Sequence, residues 1–394
     1  MLSVAEVWQR LDSLAAPLAI ETVPLALAAG RVLRTPITAL EDQPAFDRSS
    51  IDGYVAPLST SSGATLRLVG EIPVGQPAPD FPQNPDVCLK LFTGSAVPAG
   101  PLGLVMHEDT TPAAAPDGAR TITLRAAPSV TLIRRRASQC RAGDRLLPAG
   151  TVLNPGALAL LASLGQTAPA VSCRARVAHL VTGGEIVPAE NTPAPGQIRD
   201  SNSTLIAALL AATGVADLVA HARADEAHAS ADSAFARLLS TEPDLLLVSG
   251  GSSGGEHDHT ARLFAEHGFT LSIERVASRP GKPLLVATRG AQIAVGLPGN
   301  PLSHFVCFHL FVARILARLT GTATPPLARV PLAPGALLRS HPRETWWPAA
   351  RTPEGYAPLP WADSSDLTVL SRTHALLRVP SSAAPETTAD ALLV

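Results

Sequence analysis

Lysine is almost missing from this 394-residue chain: of 31 basic residues only Lys90 and Lys282 are lysine. Tyrosine occurs only at Tyr54 and Tyr356, and the sole methionine beyond the first residue is Met106. Charge is sparse too, with 16% charged residues, a formal net charge of -2 and no basic block. This excludes the clustered positive charge that nucleic-acid binding needs. Any anionic ligand must be captured locally, by a few placed cations and backbone N–H groups. The four cysteines, Cys88, Cys140, Cys173 and Cys307, lie far apart and form no C-x-x-C pair. Neither a disulfide framework nor a zinc site is indicated, and a reducing cytoplasm is expected. No export signal or membrane span is expected either, since the N-terminus lacks an apolar segment and no run approaches 18 apolar residues. Scarcity has one use: a lysine or tyrosine inside a motif is less easily dismissed as a residue that any other would replace.

What is present is apolar, at 46% hydrophobic residues, and long enough for several domains. Residues 1 to about 45 read as an amphipathic helix, "VAEVWQRLDSL", and a short extended piece that breaks at Pro44. Residues 46–137 carry short strand-like runs between Pro, Gly and Thr, the pattern of a small β-domain. In "NPGALALLASLG" a helix is expected, with Asn154 as cap, Pro155 in the first turn and Gly165 as stop. From 174 to 322 strands and helices alternate, which predicts a parallel α/β sheet. Beyond 323 proline returns, and "LARVPLA" and "HALLRVP" read as strands of a terminal β-domain.

One stretch of the α/β region asks for a ligand. "SGGSSGGEHDHT", from Ser249 to Thr260, follows the apolar run "DLLLV" and precedes a helical pattern. In an open α/β sheet ligands bind beyond the carboxyl ends of the strands. Glycines there let a ligand approach the main chain, and successive N–H groups form an anion site, so Ser249, Gly250, Gly251, Ser253 and Gly255 are candidate binding positions. The alternative is a tight turn with no ligand. Glu256 and Asp258 repel a phosphate unless a metal or proton transfer accounts for them, which suggests Mg²⁺ or general-base work. His257 and His259 have no third partner and read as solvent-facing.

Two further loops belong to the same edge. "SRPGKP" sets Lys282 near Arg279 and holds its direction with two prolines, as anion capture requires. "GLPGNPLSH" ends one strand and opens a helix, placing Pro298, Asn300, Pro301 and Ser303 as rigid backbone and hydrogen-bond donors. By itself each is also an ordinary turn or cap.

Taken together the motifs resemble the molybdopterin molybdenumtransferase family, which includes the MoeA proteins and the E domain of gephyrin. The stretches that carry the resemblance occur in family order: "FDRSSIDGYV", "GEIPVGQPA", "LFTGSAVPAGPLGLVMHED", "IRRRASQCRAGDRLLPAGT", "LLASLGQTAPAV", "VTGGEI", "GQIRDSNS", "SGGSSGGEHD", "RPGKP" and "GLPGNPLSHFVCF". The resemblance implies an α/β and β multidomain chain. Its parts are a helical linking domain (1–45 with 138–173), an inserted β-domain (46–137), a MogA-like α/β parallel-sheet domain that binds molybdopterin (174–322) and a C-terminal β-barrel (323–394). It also implies a cytoplasmic homodimer that inserts molybdate into adenylylated molybdopterin with Mg²⁺-dependent release of AMP. A molybdopterin adenylyltransferase and recipient molybdoenzymes are the implied protein partners, with no nucleic acid and no membrane.

Residue by residue, the resemblance makes Asp258 and Glu185 catalytic and metal-holding, with Asp52 and Thr93 contributed by the partner subunit. Asp225 matches a further acid, and Ser253, Arg279 and Lys282 match positions that hold molybdate. The chain departs from the family where Gly184, Gln139 and Leu102 stand in place of acids, where Ile51 replaces a methionine, and where Ser252 and Gly254 replace apolar residues. The lost acids keep a second reading open, a divergent paralogue that binds molybdopterin or scaffolds a partner without turnover. A third, an adenylyltransferase of the related single-domain family, fits the four-part chain less well.

Overall fold

Strands of the α/β region are apolar on both sides, and the structure shows why. In this computed structural model, which describes residues 1–225, 228–250, 259–324, 326–382, 385 and 387–394, they form a six-stranded sheet. Its order is Ala216–Ala224, Ala175–Thr182, Leu245–Ser249, Gln292–Leu297, Leu285–Arg289, Thr270–Glu274. Val177, Leu247 and Val295 point to one face, and Ala178, Leu246 and Ala294 to the other, and each face has its own buried cluster. The first face is covered by Ile206 and Leu210 of the helix Asn202–Thr213 and by the helical run from Pro301 to Thr320; the second by Phe235 of His228–Leu239 and Phe264 of His259–Glu266.

The first four strands are parallel, as expected, but Leu285–Arg289 runs antiparallel to both of its neighbours. Only Gly290 and Ala291 separate Leu285–Arg289 from Gln292–Leu297, and so short a connection can join only antiparallel neighbours. The sheet is therefore mixed. The run Pro301–Thr320 is long and apolar enough to cross a membrane by length and composition, yet 78% of its apolar window is buried in the protein. A π-helical turn, Phe308–Val312, interrupts it.

The described chain divides into two compact units, Met1–Thr35 with Ala149–Val394, and Pro36–Pro148. In the first, the Val4–Leu14 helix carries a Ser3–Glu6 capping box and buries Val4, Val7 and Leu11. Asn154 caps Pro155–Ser163 by accepting from the Ala157 N–H at 2.8 Å, as its position in the sequence implies. C-terminal strands Ala328–Pro331, Glu344–Thr352, Gly355–Pro358, Ala375–Val379 and Thr388–Leu393 form a second sheet, which Ser278–Arg279 joins as an edge strand. The second unit holds a six-stranded sheet in which Gly53–Pro57 lies between Leu102–Met106 and Val87–Leu91.

Three imidazoles sit on the helix-covered first face. His179, on the strand beside Leu245–Ser249, and His304, on the helix Pro301–Cys307, are both 0% exposed. His221 pairs across from His179 on the neighbouring strand and is partly exposed. Ring centroids of His179 lie 5.3 Å from His221 and 6.2 Å from His304. Burial, and then the two neighbouring imidazoles, hold His179 well below the ordinary histidine range, and burial takes His304 down to about 4. His221 is lowered by burial and by Arg223, against the opposing pull of Asp200. All three are neutral at neutral pH.

Two consequences can be measured. An unfolded histidine protonates near 6.5, whereas native His304 does so only near 4. The unfolded chain therefore binds more protons between those values, and stability falls as pH drops from about 6.5 towards 4, by up to about 1.4 kcal/mol per pH unit for each such histidine. Urea midpoints at pH 7, 6 and 5 should decline, and should decline less steeply in His304→Leu. Gly281 has φ +104°, and a Cβ there would lie 2.6 Å from Cys307 Sγ. Gly281→Ala should cost roughly 2 kcal/mol or more in the same titration at pH 7.

Candidate active site at the carboxyl ends of the central strands

Parallel pairing brings Val181 opposite Ser249 and Ser249 opposite Leu297, so three strands end side by side. Beyond those ends lies a cavity of about 560 Å³, a volume suited to a small molecule. Thr182 and Glu185 line it at and beyond the end of the first strand, Ser249 and Gly250 at and beyond that of the second, and Pro298, Asn300, Pro301 and Ser303 after the third. Asp200 and Asn202 close it from the start of the Asn202–Thr213 helix, and Ser365 and Leu367 from the C-terminal segment.

Gly250 accounts for part of the glycine content of the "SGGSSGGEHDHT" stretch. Its φ is +100°, and a Cβ would meet the Thr182 carbonyl oxygen at 2.4 Å. The main chain here runs against the neighbouring strand, where no side chain fits. The rest of the motif, including Gly251, Ser253, Gly255, Glu256, His257 and Asp258, lies outside the described residues.

Each of the three imidazoles ties down one wall of this cavity. His179 Nε2 lies 2.6 Å from Ser249 Oγ, and His304 Nδ1 lies 3.3 Å from the Pro298 carbonyl oxygen. His221 Nε2 is 3.2 Å from Ser203 Oγ, and the Ser203 N–H and hydroxyl both donate to Asp200, at 2.9 and 2.5 Å. Arg223 pairs with Asp200 at 3.2 Å, so this buried carboxylate is fully engaged. Asn202 donates to the Gly299 carbonyl at 2.7 Å, leaving its Oδ1 buried with no partner. Asn300 donates to Ser364 Oγ at 2.6 Å, which anchors the C-terminal segment beside the cavity.

Other expected residues gather elsewhere. Arg279 stacks over the Trp361 ring at 5.2 Å, and Arg343 donates to the Ser278 carbonyl at 2.9 Å. Burial, and then the charge of Arg279, lower the pKa of Arg343, which marks the two guanidiniums as neighbours. Lys282 is exposed on the same loop, and none of these cations lines the cavity. Asp225 is exposed just after the Ala216–Ala224 strand and does not line it either. In the other unit, Asp52 accepts from the Thr93 N–H at 2.7 Å and from its hydroxyl at 3.0 Å, and these bonds hold the Asp52 carboxyl below its ordinary range. Leu102 is buried in that unit's core, which accounts for its being apolar.

Among the described residues no three His, Cys, Asp or Glu side chains converge on a point that would hold a metal. Glu185 is the described acid open to the cavity, since Asp200 is engaged. Mg²⁺ retains several waters and is commonly held by one or two carboxylates with substrate phosphates, so Glu185 fits as one ligand of such a sparse site.

Sequence reasoning missed Thr182, Asp200, Asn202, His179, His304 and Arg343. For Asp200 and Asn202 the signal was available, because "IRDSNS" sets a carboxylate two residues before a helix that it caps through Ser203. A histidine inside the apolar strand "RVAHLVT" was the other unused signal.

Comparison with known proteins bears on the whole chain. A family profile described as "MoeA N-terminal region (domain I and II)" matches residues 2–165, and one described as "Probable molybdopterin binding domain" matches residues 178–318. A molybdopterin molybdenumtransferase of Nostoc sp. is 35% identical over 312 residues, 77% of this chain and 70% of that protein. Molybdopterin molybdenumtransferase 2 of Mycobacterium tuberculosis is 33% identical over 319 residues, 77% of this chain and 76% of the relative. In fold, the molybdopterin biosynthesis MoeA protein of Pyrococcus horikoshii matches with a TM-score of 0.81 at 21% identity, over 100% of this chain and 98% of that one. Identity to the Nostoc enzyme over most of both chains, carried on the same fold, makes this chain a member of the molybdopterin molybdenumtransferase family of enzymes.

Proposed function

We propose that this enzyme acts in molybdenum cofactor biosynthesis, inserting molybdate into adenylylated molybdopterin with Mg²⁺-dependent release of AMP, as a cytoplasmic homodimer. The observation that carries this reading is the cavity beyond three parallel strands, where hydroxyl and N–H donors meet one open carboxylate, Glu185. Ser249 and Ser303 suit the oxygens of an anionic substrate, because each brings a hydroxyl to the cavity. Glu185, with Asp258 as second acid, would hold Mg²⁺, which when bound neutralises charge on the phosphoanhydride. Asp52, ionised and anchored by Thr93, is the partner subunit's acid in this reading. Arg279 and Lys282, with Ser253, receive molybdate as substrate, and Arg343 adds to the positive field at Arg279. The four-part division at 1–45 with 138–173, 46–137, 174–322 and 323–394 belongs to this proposal too, as do a molybdopterin adenylyltransferase and recipient molybdoenzymes as partners.

The reading is tested by AMP release from adenylylated molybdopterin with and without molybdate. Purified protein should release AMP only when Mg²⁺ is present, and Glu185→Gln should slow release by about 10²-fold, the scale of a lost acid or base. Tight binding with no AMP at any Mg²⁺ concentration would establish the non-catalytic paralogue instead. The lost acid at Gly184 gives a second test. A Cβ there meets nothing within 4 Å, so Gly184→Asp adds a carboxylate beside Glu185 without a clash. It should lower the Mg²⁺ concentration for half-maximal AMP release severalfold, because affinity for a hard cation rises with carboxylate count. An unchanged Mg²⁺ curve would make Gly184 a position without a role in metal binding.

A further inference from the structure

The hydrogen-bond polarity of Ser249 can be worked out from the imidazoles behind it. A neutral imidazole has one N–H and one bare nitrogen, and which is which follows from its partners. His304 faces the Pro298 carbonyl through Nδ1, and a carbonyl only accepts, so His304 carries its hydrogen on Nδ1. His179 meets Ser249 Oγ through Nε2, while its Nδ1 is buried without a partner. Were the hydrogen on Nδ1, a donor would be orphaned in the core; with the hydrogen on Nε2, only a lone pair is left over. Orphaned buried donors are the rarer and costlier case. The hydrogen therefore sits on Nε2, and Ser249 Oγ accepts it.

That assignment frees the Ser249 hydroxyl hydrogen. Among the described residues no acceptor receives it, and Ser249, 1% exposed, lines the cavity. Thr182 donates to the Ser249 main-chain carbonyl at 3.3 Å, and its hydroxyl oxygen does not accept from Ser249 Oγ.

We propose that His179 is a positioning residue for substrate recognition, donating to Ser249 Oγ so that the serine hydroxyl is presented to the cavity as a donor for an oxygen of the bound substrate. The inference rests on the proposed function only for the substrate's name. The recognised group is an acceptor oxygen, carbonyl or phosphate, to which the free hydroxyl hydrogen can donate. His304 cannot substitute, since it is committed to the opposite wall through Pro298.

Two measurements test this. The first needs no ligand: nitrogen-15 NMR of histidine side chains in the intact protein, with the His179 signal assigned from its loss in His179→Gln. The Nε2–H tautomer is expected, and an Nδ1–H tautomer would overturn the proposal. The second is equilibrium binding of adenylylated molybdopterin. Ser249→Ala and His179→Leu should each weaken binding roughly tenfold, about the worth of one hydrogen bond to a charged group, and the double variant should be no weaker than either alone. His179→Gln, whose amide N–H can still donate to Oγ, should stay within about threefold of wild type. A merely structural His179 would give a different outcome: His179→Leu would lower the unfolding temperature while folded protein bound normally, or the two losses would multiply. Should wild type fail to bind adenylylated molybdopterin while NMR shows the Nε2–H form, the functional reading falls and the donor polarity of Ser249 stands.

Discussion

The register of three parallel strands is the constraint on which the site depends. With Val181 opposite Ser249 and Ser249 opposite Leu297, three chains leave the sheet at one level and must turn in the same small volume. Their next residues, Thr182, Gly250 and Pro298, all line one cavity, and Gly250 lies so close to Thr182 that it has no room for a side chain. A cavity beyond such a layer has walls made of loops, and loops need anchors. Here the anchors are imidazoles on the sheet's buried face, each joined to a different wall. A slip of one residue in the central strand would turn Ser249 and His179 to opposite faces and break the link.

Neutral histidines suit this role for an electrostatic reason. A buried charge beneath such a cavity would either draw in a counter-charge or demand a partner of its own, at considerable desolvation cost. An uncharged imidazole provides directional hydrogen bonding without either. Asp200, the one acid buried nearby among the described residues, is instead neutralised by Arg223 and hydrogen-bonded by Ser203. The cations expected for molybdate lie apart from the cavity, where Trp361 covers Arg279 and Arg343 braces the Ser278 carbonyl. In a chain with only two lysines, the rigidly held positive charge near this loop is carried by arginine, whose planar group can stack and hydrogen-bond at once.

Local signals were enough for much of this chain. Asn154 followed by proline defines a helix start because a side-chain oxygen and a preset φ satisfy that end wherever it occurs. The apolar runs from 174 to 322 require a sheet buried on both faces, and the glycine and proline motifs after them locate the ligand side, because only strand ends leave the main chain approachable. Ser249, Gly250 and the Pro298–Ser303 turn were legible in that way, and Glu185 only through the family resemblance. Tertiary structure decided what depended on partners distant in sequence. That Ser278–Arg279 joins the C-terminal sheet beside Glu344–Thr352 pairs segments far apart in the chain. That His179, His221 and His304 form one cluster, that Asp200 is neutralised by Arg223, and that Arg343 stands beside Arg279 all join residues from separate elements. A linear pattern records whether a side chain is apolar and at what spacing it repeats; the hydrogen bonds of a buried histidine depend on which strands and helices meet there, and that is settled only when they pack.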